Sequence, residues 1–225
     1  MEDGKKMNKL NILYEDNHII VVVKPYNVLS QGDSTGDSSI MDDIKTYLKE
    51  KYHKPGNVYL GLVHRLDRPV GGIMVFARSS KAAARLCTAF GNHEVTKKYL
   101  AIVHGKMEKD VDTLTDLIEK GLDGKSFVSP RGKLAILDYE VLDYNSEFDC
   151  SLVSVSLQTG RHHQIRVQFA SRGHYLLGDQ RYGVLDYTQI CLFCYQLAFY
   201  HPVTKEKLDF QVYPEMQGHW TKFTL

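Results

Sequence analysis

Four short segments carry side chains whose types and spacing can do chemistry. The first is His64-Arg65-Leu66-Asp67-Arg68, followed by Pro69-Val70-Gly71-Gly72. Flanking cations favour the ionised form of a carboxylate, and an ionised carboxylate can act as base, nucleophile or metal ligand. The same residues also fit a turn closed by a local salt bridge; on the residues alone both readings stand. The second is Lys97-Lys98-Tyr99-Leu100-Ala101. A tyrosine beside two lysines can stack on a nucleobase while the ammonium groups meet phosphates, or it can be an ordinary sheet aromatic. The third, Thr159-Gly160-Arg161-His162-His163-Gln164-Ile165-Arg166, opens an apparent helix. Arg161 and Arg166 could hold phosphate or a buried carboxylate there. His162 and His163 are adjacent, so on a helix they do not share a face, which argues against a metal pair. The fourth, Leu177-Gly178-Asp179-Gln180-Arg181-Tyr182-Gly183, is a glycine-bounded turn. It can shape a wall and is given no catalytic role.

These residues must be positioned by the elements around them. Leu10–Tyr14 and Ile19–Val23 read as two strands joined by a turn, with Lys24-Pro25 ending the second. Residues 31–39 form a Gly/Ser/Asp-rich loop. A helix is expected from about Ser39 to Tyr52, with Ile40, Ile44, Tyr47 and Leu48 on one stripe, Ser38 or Ser39 as cap, and Asp42 and Asp43 in the first turn. Val58–Val63 is strand-like, Arg65–Gly72 is the Asp67 loop, and Ile73–Ala77 is a continuous apolar strand. Loops held between rigid strands are common sites of chemistry. Ser79 or Ser80 caps a second helix through about Phe90, and Lys97–His104 is a strand with Tyr99, Ala101 and Val103 on one face. Gly105–Gly132 reads as an excursion from the core. Ala135–Tyr144 and Cys150–Leu157 form an antiparallel pair, a helix runs from about His162 to Ser171, and Leu192–Tyr200 with Lys207–Val212 form a last pair of strands. Strands and helices do not alternate as in a doubly wound fold, so the class is α+β.

The 225 residues suit one domain, or one domain with two lobes, and 43% hydrophobic with 24% charged residues makes the chain globular. The polar start, Met1-Glu2-Asp3-Gly4-Lys5-Lys6, is followed by no apolar segment of signal-peptide type, and the longest apolar run, Ile19–Val23, is too short to span a bilayer. A cytoplasmic protein is expected. The net charge of +1 does not itself indicate nucleic acid. Locally, Arg65, Arg68, Arg78, Lys81, Arg85, Lys97, Lys98 and Lys106 face only Asp67 and Glu94 between Val63 and Lys106, which could give one basic face. Cys191-Leu-Phe-Cys194 has the spacing of half a zinc site, but no second pair or His-x3-His partner accompanies it. Cys87, Cys150, Cys191 and Cys194 are expected as free thiols.

In this order and spacing the segments resemble the RluA family of pseudouridine synthases, over nearly the whole chain from about Ile12 to Pro214. His64-Arg65-Leu66-Asp67, followed by an apolar strand and a Ser-Lys-Ala helix, is the most specific piece. Lys98-Tyr99-Leu100-Ala101, Gly160–Arg166 and Gly178–Gly183 support it. The resemblance implies a mixed, mainly antiparallel sheet flanked by helices with a central cleft, and a catalytic domain over residues 11–225 behind a tail of residues 1–10. It implies that Asp67 is the nucleophile, that Tyr99 stacks on the target base and can transfer a proton, and that Arg166 pairs with the aspartate. Arg65 would extrude the target nucleotide, Ile165 would be an apolar wall, and His64, Lys98 and Arg161 would join the RNA-binding surface. Asn27, Val70-Gly71 and Gln168 depart from the family pattern and bear on loop contacts and RNA choice. No S4-like RNA-binding domain is expected before Asn11, and RNA recognition is expected to come from the catalytic domain.

Pseudouridine formation breaks the N1–C1′ bond of uridine, turns the base and joins C5 to C1′. The detached base must be retained, and the target must first leave its stack, at a cost of a few kcal/mol. No step calls for a metal, nucleotide or redox cofactor. The expected partner is ribosomal or transfer RNA, and the expected state is a monomer. Two other readings are carried forward. One is an RNA-binding protein of this fold without catalysis. The other is a glycosidase-like hydrolase using Asp67, which needs a second carboxylate across the scissile bond; Asp179 is the candidate nearest to a motif.

Overall fold

In the computed structural model the protein is described for residues 10–186 and 188–225; most of the expected tail of residues 1–10 lies outside that range. The chain divides into two compact units. The first comprises the residues up to Glu94 together with Tyr200–Leu208; the second comprises Val95–Phe199 and Asp209–Leu225.

In the first unit, β1 (Asn11–Glu15) pairs antiparallel with β2 (Ile19–Lys24). The turn between them is closed by Asp16, whose carboxylate accepts the backbone N–H groups of His18 and Ile19 at 2.7 and 2.8 Å. Helix α1 (Ile40–Lys51) begins with a reciprocal cap: Asp42 N–H donates to Ser39 Oγ at 3.3 Å, and Ser39 N–H donates to the Asp42 carboxylate at 3.2 Å. Such a cap contributes about 0.5–2 kcal/mol. Its apolar stripe, Ile40, Ile44 and Leu48, is buried. The segment expected as a strand over Val58–Val63 pairs only at β3 (Gly61–Leu62). Strand β4 (Gly71–Ala77) is buried throughout and pairs with both β2 and β3. Helix α2 (Ser80–Gly91) is capped by Ser79, whose side chain accepts Ala82 N–H at 3.2 Å. The side chains of Ile19, Ile20, Val21 and Val22 in β2 are fully buried, each contributing roughly 1.5–3 kcal/mol.

In the second unit, β5 (Thr96–His104), β6 (Val111–Lys120), β7 (Ser126–Val128), β8 (Lys133–Asn145) and β9 (Cys150–Leu157) are followed by α3 (Gln164–Ala170) and β10 (Leu192–Tyr200). The strand order is β10-β5-β9-β8-β6-β7, and β11 (Lys207–Gln211) runs beside β10. The ladders among β5 to β10 are antiparallel. The expected excursion over Gly105–Gly132 is a correction: β6 pairs with β8 over eight residues and β7 extends that edge. The sheet recruits this stretch because Leu114 and Ile118, four residues apart, fall on one face and are buried there.

Registers decide which side chains share a face, since directly paired residues point the same way. Tyr99, Val155 and Tyr139 form one row across β5, β9 and β8. Tyr139 meets Phe169 of α3 edge-on at 5.6 Å, and Val167 packs with Ile118 and Ala135. Helix α3 therefore lies on the Tyr99 face of the sheet.

Candidate active site

Asp67 belongs to the first unit and stands between two residues whose backbones are pinned. Ser30 Oγ donates to the Leu66 carbonyl at 2.7 Å and accepts the Leu66 N–H at 3.1 Å, and both residues are buried. On the other side, Lys24 Nζ donates to the Arg68 carbonyl at 3.1 Å, and to the carbonyls of Pro25 and Val28 at 2.9 and 2.7 Å. Lys24 is fully buried, at 0% exposure. Burial pushes its ammonium down to about 7, Asp67 opposes that shift and Arg68 adds to it. Val70 N–H closes the turn onto the Asp67 carbonyl at 3.0 Å. Neither Ser30 nor Lys24 carried a motif in the sequence beyond the end of a strand and a loop; their roles arise from contacts across 36 and 44 positions.

Arg68 is turned to Asp37 at 2.8 Å and to the Asn27 carbonyl at 3.3 Å. Asn27 holds the left-handed φ of 62° that its amide side chain tolerates, so the departure from glycine leaves the turn intact. Arg65 is exposed beside the buried Leu66. His64 has a framework contact: its Nε2 accepts Val75 N–H at 3.1 Å and its ring stacks on Phe90 at 4.7 Å.

The second unit holds Tyr99, Arg161, Ile165 and Arg166. Tyr99 and Ile165 are buried. Arg166 and Asp179 form a bidentate pair, Nε to Oδ2 and Nη2 to Oδ1, each at 2.7 Å, with Arg166 5% and Asp179 1% exposed. Asp179 Oδ1 also accepts the backbone N–H groups of Arg181 and Tyr182 at 3.0 and 3.2 Å. Asp179 thus uses one edge of the guanidinium, so a further carboxylate would bind through the Nη1 edge. The turn that delivers Asp179 requires Gly178, which has φ +74° and where a Cβ would lie 2.3 Å from the Gln189 carbonyl oxygen.

Tyr182 covers the pair. Its ring lies 5.1 Å from Arg166 Cζ, and its hydroxyl accepts Ser126 N–H at 2.7 Å and meets His163 Nδ1 at 2.8 Å. Burial raises the Tyr182 hydroxyl above the usual tyrosine range. The two histidines do share a surface, contrary to the helical expectation: their rings stack at 3.7 Å. The reason is that His163 precedes α3 in the left-handed region, φ 55°, so the helical spacing rule does not reach it. His162 Nδ1 meets Ser126 Oγ at 2.8 Å, which ties the start of β7 to the entry of α3. Arg161 donates through Nε to the Leu134 carbonyl at 2.7 Å and is exposed. Gln168 is buried, donating to Asp116 Oδ2 and the Leu114 carbonyl at 2.8 and 3.1 Å, so its departure from the family pattern serves the α3–β6 contact.

Lys98 is not brought to the Tyr99 face. It pairs with Ser156, itself opposite Asp138, and with Gln196, whose amide binds Asp209 at 2.9 Å. The cysteines are free; Cys191 and Cys194 are buried. Burial pushes the Cys191 thiol above its ordinary range. Among the described residues no group of three or more His, Cys, Asp or Glu side chains is arranged to hold a metal ion, and no helix is long and apolar enough to cross a membrane.

An α+β chain carrying a pinned aspartate loop in one unit, and a buried arginine with an aromatic on one sheet face in the other, has the parts of an enzyme that handles a polyanion and a planar base. Residues 18–171 match the family model described as RNA pseudouridylate synthase. The chain is 35% identical over 219 residues to an uncharacterized RNA pseudouridine synthase of Aquifex aeolicus, covering 90% of this chain and 69% of that protein. It is 35% identical over 224 residues to ribosomal large subunit pseudouridine synthase D of Vibrio cholerae, covering 89% of this chain and 66% of that protein. Two human proteins, RNA pseudouridylate synthase domain containing 4 and domain containing 1, share the fold with TM-scores of 0.77 and 0.74 at 24% identity. The first alignment covers 94% of this chain and 90% of its relative, the second 98% and 89%. The chain belongs to the RNA pseudouridylate synthase family and is an RNA pseudouridine synthase, an isomerase, as the RluA-type motifs imply.

Proposed function

We propose that the chain converts particular uridines of cytoplasmic ribosomal RNA to pseudouridine, with Asp67 as the nucleophile and Arg166 as its cationic partner. The observation that carries this is the double anchoring of the Asp67 loop: Ser30 on Leu66 and Lys24 on Arg68 fix the backbone on both sides of the carboxylate. A carboxylate that reacts at a sugar carbon needs this kind of preorganisation, because small misplacements of the reacting group are costly. Tyr99 stacks on the detached uracil and Ile165 walls the pocket. Arg65, exposed next to the loop, takes the place of the flipped nucleotide, and Arg161 contacts the RNA backbone.

Ribosomal RNA is the substrate class suggested by the Vibrio cholerae relative's name. The hydrolase alternative loses its second carboxylate, since Asp179 is locked onto Arg166. The test is to incubate unmodified large-subunit ribosomal RNA and unmodified transfer RNA with the pure protein and map the products. Pseudouridine at defined positions of the ribosomal RNA supports the proposal. Modification of transfer RNA alone reassigns the substrate, release of free uracil supports the hydrolase, and binding without any product supports the non-catalytic reading.

A further inference from the structure

The motif Lys97-Lys98-Tyr99 presents two lysines, and sequence alone favours the one next to the tyrosine. The strand register reverses the choice. Successive residues of a strand point to opposite faces, so Lys97 shares the Tyr99 face of β5 and Lys98 does not. On its own face Lys98 stands in the row Thr113–Asp138–Ser156–Lys98–Gln196, between Asp138 and the Asp209 carboxylate held by Gln196. Its neighbours in that row are the polar side chains of Ser156 and Gln196, with Asp138 one strand further on.

Lys97 faces a different environment. Its Nζ reaches the turn that leads into α3: a Cβ added at Gly160 would lie 3.7 Å from it. That turn opens the segment carrying Arg161, Ile165 and Arg166, on the sheet face where Phe169 meets Tyr139 in the Tyr99 row. The side chain is half-buried, and burial pushes its ammonium below the usual lysine range, with the Cys194 thiol opposing. An ammonium stripped of part of its water binds an oxyanion more strongly than one fully hydrated.

We propose that Lys97 is the RNA-facing lysine of β5 and that its ammonium binds a backbone phosphate next to the target uridine. This rests on the synthase reading above. Lys97 is a binding and positioning residue: it brings the flipped nucleotide towards Tyr99 without touching the reacting bonds.

The test measures binding of unmodified large-subunit ribosomal RNA transcript at several salt concentrations, together with pseudouridine formation on the same transcript. Each phosphate contact contributes about 0.7–0.9 to the slope of log affinity against log salt. Lys97→Met lowers that slope by about that amount and raises KM about three- to tenfold, with kcat changed less. Lys97→Arg restores the slope, and Lys98→Met keeps the wild-type slope. A wild-type slope in Lys97→Met, or the loss appearing in Lys98→Met instead, overturns the inference. Thermal unfolding is run on each variant; should Lys97→Met not fold, Lys97→Gln supplies the same charge loss. A wild-type protein that binds the transcript but forms no pseudouridine refutes the synthase reading for that RNA, while the slopes still decide the lysine.

Discussion

Asp179→Asn isolates the charge of the Arg166–Asp179 pair. The substitution keeps the side-chain volume and keeps one oxygen able to accept the Arg181 and Tyr182 backbone N–H groups. It removes the negative charge facing a guanidinium that is only 5% exposed. Two charge-assisted hydrogen bonds of 2.7 Å are lost or weakened, and the amide NH2 now faces an Arg166 donor. Removing one partner of a buried ion pair costs about 3–5 kcal/mol. Against a total stability on the order of 5–15 kcal/mol that is a large fraction. At roughly 2–4 °C per kcal/mol for a chain of this size, the melting temperature should fall by about 6–20 °C. Urea unfolding gives the same quantity as a midpoint shift at constant slope. The control is a double-mutant cycle with Arg166→Met. With the cation gone, Asp179→Asn should cost about 2–3 kcal/mol less than it does alone. A single-variant loss below about 1 kcal/mol, or an additive cycle, would refute the reasoning and mean that water screens the pair.

Ser30→Ala removes both hydrogen bonds to the Leu66 backbone; it should cost about 1–3 kcal/mol and lower kcat more than it raises KM, and unchanged kcat would detach the Asp67 loop from this anchor. Lys24 gives a pH signature. Its ammonium is pushed from an ordinary 10.5 down to about 7, so between these values the folded protein releases a proton that the unfolded chain retains. The unfolded state then binds more protons, and stability rises with pH across that window. Measured by urea unfolding at pH 6 and pH 9, wild type should gain about 1–3 kcal/mol relative to Lys24→Met, whereas a constant difference would show that the three carbonyls and Asp67 keep the ammonium charged. Gly178→Ala adds a methyl 2.3 Å from the Gln189 oxygen at φ +74°; a loss of about 2–4 kcal/mol with reduced kcat is expected, and a neutral result would show that the turn can shift without disturbing Asp179.

Local chemistry was legible in the sequence. The caps at Ser39 and Ser79, the buried strand over Ile73–Ala77 and the Asp67 loop need only near neighbours, and each stands where the residues indicate. Long-range contacts were not. The stretch over Gly105–Gly132 looked like an excursion because its acidic residues mask the alternation of Leu114 and Ile118, which only the β8 partner reveals. Asp179 read as a turn residue because Arg166, its partner, lies 13 positions earlier, and Ser30 and Lys24 act across still longer separations. The stacked histidines were missed because a left-handed residue before α3 cannot be told from a first helical turn by composition. Between Lys97 and Lys98 the sequence favoured the residue next to Tyr99, whereas the ladder places it on the other face.

The central claim is that Asp67 carries the reaction. It is tested most directly by pseudouridine formation on unmodified large-subunit ribosomal RNA by wild type and by Asp67→Asn, with RNA affinity measured in parallel. The account predicts conversion by wild type, no detectable conversion by Asp67→Asn, and affinities within about threefold, which corresponds to less than about 1 kcal/mol. Full turnover by Asp67→Asn would contradict it.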